Sequence, residues 1–256
     1  MFEPRLALAS LSGRSDAEWA SAAERHAGAA FLGGIALDAP TREAARELVE
    51  RDREEFLPDD PAAFVDRQLA ALEDADLRAG FNVRTTALDP LREVARVCAD
   101  REAVLELNAH CRQDEMCAAG AGEALLRDPD RLREQVETAA GEGATVGVKV
   151  RAEVPGVDLA ELTRVVAEAG GDAVHVDAMD SEGVVAEVAE AAKSTDGDDL
   201  FVIANNGVRD EATVREYLAC GADAVSVGRP SDDPAVLRRV RSAVDEWFAE
   251  KPEVRA

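Results

Sequence analysis

The stretch "LELNAHCRQDEM" (105–116) begins as an apolar run and stops on an asparagine, a histidine and a cysteine. Asn108 offers both a hydrogen-bond donor and an acceptor, and Cys111 a thiol that can deliver a proton or act as a nucleophile. Similar endings recur downstream. Lys149 and Arg151 close "TVGVKVR", His175 and Asp177 close "AVHVD", and Asn205 closes "LFVIAN". The last such run passes into "SVGRP" (226–230), where Gly228 lets backbone N–H groups approach an anion and Arg229 adds a fork of donors. Joined to Lys149, Asn205 and Gly207, this pair points to a phosphate-bearing cofactor lying across a shared mouth.

The elements that must position these residues alternate along the chain. Short apolar or β-branched runs at 5–9, 29–36, 79–83, 103–108, 145–151, 173–177, 200–205 and 223–228 read as strands. Between them lie amphipathic segments such as "DPLREVARVCAD" and "DLAELTRVVAEAGG", many of which open on Asp and close on Gly as helices do. Strand–helix alternation implies parallel pairing with right-handed crossovers. Eight such units in 256 residues match a (β/α)8 TIM barrel. An open doubly wound sheet is the rival, but the first strand turn "ALASLSGRSD" lacks G-x-G-x-x-G. The expected organisation is a single α/β domain over 1–256, with a helical insertion at about 40–78 after strand two, made of "TREAARELVERD" and "DPAAFVDRQLAALEDA".

Barrel strands send alternate side chains inward and collect function at their C-terminal ends. Val146, Val148 and Val150 share one face, so Gly147, Lys149 and Arg151 take the other. By the same alternation Glu106 and Asn108 face inward from strand four, and His175 and Asp177 from strand six. Bland readings stand beside the functional ones. Lys149 and Glu106 can form a ligand-free ion pair, but such pairs stabilise little once desolvation is counted. His175 can be a satisfied core histidine, and Cys111 a small buried hydrophobe. The spacing of His110, Cys111 and Cys117 fits no zinc pattern, so no metal is expected.

Net charge is −24, and only three lysines accompany the arginines. Acids spread along the whole chain, with no tail or block, read as adaptation to concentrated salt, a halophilic signature, rather than as a surface that repels nucleic acid or attracts cationic partners. No stretch is apolar for long enough to cross a bilayer, and the N-terminus lacks the pattern of a signal peptide, so a cytoplasmic protein is expected. Four cysteines are too few for a disulfide scaffold and should be free thiols.

Taken in order, these motifs resemble the tRNA-dihydrouridine synthases, FMN-dependent barrels that reduce a uracil ring. "LNAHCRQDEMCAAGAGEALLRDP" (107–129) is similar to that family's N-x-G-C-P, loop and G-A-G-x-x-L-L-R-D-P, without a gap. "VKVR", "HVDA", "IANNGV" and "VGR" follow as weaker matches, and "LALASLSG" resembles the family's opening. The resemblance implies that NADPH or NADH reduces FMN, that the flavin gives hydride to C6 of uracil, and that Cys111 protonates C5. It makes Lys149 the stabiliser of the reduced ring and His175 a third catalytic residue. It implies cofactor contacts at Ser10, Asn82, Lys149, His175, Asn205, Gly207, Gly228 and Arg229. Substrate contacts would come from Asn108, Arg151 and Asp177.

The departures bear on substrate. His110 and Arg112 replace the Gly and Pro that flank the family's cysteine, and acids or Gln113 occupy loop positions that are often basic. The eighth unit lies close to the end of the given sequence, so the family's C-terminal RNA-gripping domain is not expected here. The expected partner is therefore tRNA or a small-molecule pyrimidine, and neither DNA nor a membrane. A flavin enzyme of free small molecules, like the dihydroorotate dehydrogenases, and a barrel that only binds remain the alternatives. The acidic composition carries its own test. Raising KCl from about 0.1 to about 1 M, which shortens the Debye length from about 10 to about 3 Å, should raise the midpoint of thermal unfolding. A flat or falling midpoint would count against salt adaptation.

Overall fold

The computed structural model describes residues 1–193 and 199–251. Its eight strands are β1 (Leu6–Leu8), β2 (Ala29–Ala36), β3 (Arg78–Arg84), β4 (Val104–Ala109), β5 (Thr145–Arg151), β6 (Ala173–Asp177), β7 (Phe201–Asn205) and β8 (Ala224–Val227). They pair in sequence order, all parallel, and β8 returns to β1 to close the barrel. The (β/α)8 fold anticipated from the alternation is the fold observed. No helix among the described residues is long and apolar enough to cross a membrane.

The helices start where short acids cap them. Asp16, Asp38, Asp60, Asp128, Asp158, Asp210 and Asp233 each accept a backbone N–H from the first turn of the helix that follows. Each such cap contributes about 1 kcal/mol, and together they place each chain reversal at a set residue. The outward valines of β5, Val146, Val148 and Val150, are buried against the helical shell, as are Leu105 and Leu107 of β4. Inside the barrel the base is apolar, with Phe31, Ala7, Val104, Ile203 and Ala224 in one cluster. Toward the C-terminal end the interior turns polar, with Asn82, Glu106, Lys149, His175 and Ser226 all buried.

Two helices, α1 (Ala39–Glu50) and α2 (Pro61–Ala70), lie between β2 and β3. Their connection is tied to the barrel by a buried ion pair. The Arg84 guanidinium of β3 holds both oxygens of Glu55, one of them at 3.2 Å, and also donates to the Gly34 carbonyl. The two side chains are 1% and 5% exposed. Removing one partner of such a pair leaves an uncompensated buried charge. Glu55→Ala should therefore lower unfolding free energy by about 3–5 kcal/mol in urea titration, whereas a surface glutamate such as Glu43 should change it little.

Candidate active site

A cavity of about 1020 Å³ opens at the C-terminal ends of the strands. Its floor and wall come from strand ends: Asn108 of β4, Lys149 and Arg151 of β5, Asp177 of β6, Asn205 of β7 and Ser226 of β8. Its rim comes from loops, including Ser10 and Ser12 after β1, Asp52 to Glu54 between α1 and α2, and Gly228 and Arg229 after β8. Such a site follows from the fold, because side chains at the upper strand ends converge while the loops beyond them remain free to vary.

The thiol loop is held from several sides. Asn108 Oδ1 accepts from the Cys111 backbone N–H at 3.0 Å and from that of His110 at 3.4 Å. The Cys111 carbonyl accepts from Glu123 N–H at 2.9 Å. Gly122, with φ +61°, passes so close that a Cβ there would lie 2.3 Å from that carbonyl oxygen. The Cys111 side chain, half-buried, packs on the cluster formed by Ala44, Leu48, Met116 and Ala121 while also bordering the cavity.

Lys149 is 1% exposed, yet its amine has no hydrogen-bond or ion-pair partner among the described residues. Burial pushes the amine below the usual lysine range, opposed by the charges of Glu106 and Asp177. The direct Lys149–Glu106 ion pair that the sequence allows is not formed. Both Glu106 oxygens are taken, one by Asn82 Nδ2 at 2.6 Å and the other by His175 Nδ1 at 2.7 Å. Burial alone would push the Glu106 carboxyl up, but His175, Lys149 and the Asn82 hydrogen bond outweigh it and hold it below the usual range. His175 is pushed down by burial and by Lys149, against the opposing pull of Glu106. Asp177 leaves one carboxylate oxygen buried without a partner.

Most residues singled out in the sequence meet here. Ser10, Asn108, Cys111, Lys149, Arg151, Asp177, Asn205, Gly207, Gly228 and Arg229 all line the cavity. Asn82 and His175 do not line it. His175 lies two residues before Asp177 on β6, 1% exposed, with its second nitrogen 2.7 Å from Ser226 Oγ and its ring 5.4 Å from that of Phe31. Asn82 is fully buried in register with Glu106, two residues before Asn108, and its Oδ1 accepts from Asn108 Nδ2 at 2.8 Å. Both therefore belong to a layer beneath the cavity. Ser226, Arg53 and Arg112 are lining residues that the sequence reading did not pick out as contacts. The inward phase of Ser226 on β8 was the available signal for the first.

The family model described as dihydrouridine synthase matches residues 65–256. The chain belongs to the dihydrouridine synthase family. An uncharacterised protein of Methanocaldococcus jannaschii is 25% identical to this family member over 260 residues, covering 97% of this chain and 93% of its own length. Among solved structures, the DHODH of Eimeria tenella in complex with ferulenol is similar with a TM-score of 0.69 at 15% identity, covering 98% of this chain and 82% of that one. The 3-hexulose-6-phosphate synthase of Salmonella typhimurium is similar at 0.56 and 15%, covering 94% and 99%. These structural likenesses show the barrel fold, and family membership makes this dihydrouridine synthase relative an oxidoreductase-type enzyme.

Two imidazoles, that of His175 buried and that of His110 half-buried at the cavity, make stability pH-dependent. His110, beside Asn108, is held well below the usual histidine range by burial, then by Lys149, His175, Arg84 and Arg151. His175 is shifted the same way. For a histidine whose folded pKa is depressed, the unfolded chain takes the proton first. Stability is therefore full above about pH 6.5 and is lost as pH falls from there, at up to about 1.4 kcal/mol per unit for each group. Unfolding free energy should be level between pH 7 and 8 and decline below 6.5. His110→Gln should reduce that slope, and an unchanged slope would contradict the assignment.

Proposed function

We propose that this chain is an FMN-dependent reductase of the C5–C6 double bond of uracil in tRNA. The reading is carried by one observation: in a barrel of the dihydrouridine synthase family, the Cys111 loop and an unpartnered Lys149 amine border the same cavity. The residues present fit a flavin mononucleotide. The Lys149 amine makes no hydrogen bond or ion pair among the described residues, and its position at the floor suits the pyrimidine edge of a reduced ring, where negative charge needs a cation. At the rim a Cβ at Gly228 would meet nothing within 4 Å, and the Arg229 side chain has no partner among the described residues. Those two, with Ser10, Asn205 and Gly207, would hold the cofactor and its phosphate. When bound, FMN supplies the hydride, itself replenished from NADPH or NADH.

The protein's own part is to place the ring and to move one proton. Asn108, Arg151 and Asp177 would orient the pyrimidine. The Cys111 S–H bond breaks as its proton passes to C5, and the thiolate recovers a proton from water. The hydride on C6 and this proton on C5 together supply the two electrons and two protons that saturate the C5–C6 bond, with no net change of charge on the ring.

The mouth supports a polyanionic substrate over a free base. In a chain of net charge −24, seven Arg or Lys side chains line the cavity against three acids. Arg53 and Arg112 have no acidic partner among the described residues, although acids abound. The purified protein in high salt should bind FMN, shown by a flavin absorption band that NADPH or NADH bleaches, and should form dihydrouridine in unmodified tRNA. Cys111→Ala should keep the band and lower turnover by about 10²–10⁴. Reduction of free uridine or uracil with tRNA untouched would move the substrate to small pyrimidines. A protein that takes up no FMN would overturn the reading.

A further inference from the structure

The polar chain beneath the cavity has a direction, and a single group sets it. Glu106 is fully buried and, as a carboxylate, can only accept hydrogen bonds. Asn82 must therefore give it an N–H, at 2.6 Å, which leaves Asn82 only its oxygen to turn toward Asn108. Asn108 must answer with its own N–H, at 2.8 Å, and so turns its oxygen outward. There that oxygen accepts from the backbone N–H of Cys111 at 3.0 Å. Reversing either amide would set like against like at hydrogen-bond distance, and a reversed Asn108 would also face the Cys111 N–H with another donor. Among the described residues, Asn108 is the one partner of that N–H.

We propose that Glu106 and Asn82 are positioning residues for the Cys111 loop: the buried carboxylate orients Asn82, Asn82 orients Asn108, and Asn108 anchors the backbone that carries the thiol. Neither Glu106 nor Asn82 lines the cavity, so neither touches a ligand there. The functional weight of the anchor rests on the reading of Cys111 as proton donor; the hydrogen-bond assignment does not.

The test is amide hydrogen exchange of the full chain, read at residues 110 and 111 and, as a control, along β5. Asn82→Leu removes the relay while filling the space. It should speed exchange at Cys111 by about tenfold or more, leave β5 protection unchanged, and lower kcat on tRNA with KM within about twofold. Glu106→Gln keeps an oxygen for Asn82 and can turn its N–H toward His175, whose ring then takes the other tautomer. Exchange at Cys111 in that variant should stay near the parent value. Should Asn82→Leu fail to fold, the unmutated chain labelled with ¹⁵N-asparagine still decides. One side-chain amide proton on each of Asn82 and Asn108 should exchange slowly, and fast exchange of either would overturn the proposal. Cys111 exchange unaffected by Asn82→Leu, in an enzyme that reduces tRNA, would sink the anchor alone. A predicted exchange response in a protein that reduces no uridine would leave the anchor standing and remove the reductase reading.

Discussion

A carboxylate with no access to water stands at the centre of this barrel, and the polar side chains around it are arranged to make it tolerable. An isolated ionised carboxyl in such a place would cost many kcal/mol, or would take up a proton. Glu106 remains charged because Asn82 and His175 each give it a hydrogen bond and Lys149 supplies a nearby opposite charge. The same requirement settles much else. It explains why His175 is spent below the cavity, why Ser226 stands opposite its far nitrogen, and why Lys149 keeps an amine with nothing attached to it. The apolar cluster around Phe31 closes the space from beneath, so the polar layer can be satisfied only sideways or upward. A lower layer that cannot rearrange is a suitable base for an upper layer that must meet a ligand.

Much of this was legible in the sequence. Period-two alternation in β4, β5 and β6 told inward from outward side chains, because in a barrel strand the outward face must be apolar to meet the helices. The polar strand ends therefore led to the cavity residues, from Asn108 to Arg229. Alternation does not say how deep an inward residue lies. Strands in a closed barrel are staggered, so residues equally far from their strand ends fall in different layers. The family resemblance assigned Asn82 and His175 to the cofactor; in the structure Asn82 stands in register with Glu106 and His175 with Lys149, and neither borders the cavity. The Arg84–Glu55 pair was illegible for another reason. Its partners are 29 residues apart, on a strand and on an irregular connection, and no local pattern links them.

The charge distribution separates two tasks that composition merges. Over most of the surface, arginines are paired with acids: Arg215 with Glu211 and Glu250, Arg133 with Glu168, Arg96 with Glu142. Such exposed pairs contribute little to stability, but they cancel positive charge locally and leave an acidic exterior. At the mouth Arg14, Arg151 and Arg209 are paired in the same way, but among the described residues Arg53, Arg112 and Arg229, on three different loops, have no acidic partner. Arg112 follows β4 and Arg229 follows β8, half a barrel apart. The positive field is thus local and directed, which a net charge of −24 conceals.

Gly122 closes the thiol loop from behind with bare backbone, leaving no room for even a methyl group beside the Cys111 carbonyl. The depth to which the sulfur reaches is therefore governed by a residue that contributes no side chain. In descent this couples two positions eleven apart. A lineage that enlarges residue 122 must let the cysteine advance or retreat, and one that abandons the cysteine is released from keeping the glycine. Position 122 is accordingly a place where the history of this site would be recorded, independently of any residue that meets a substrate.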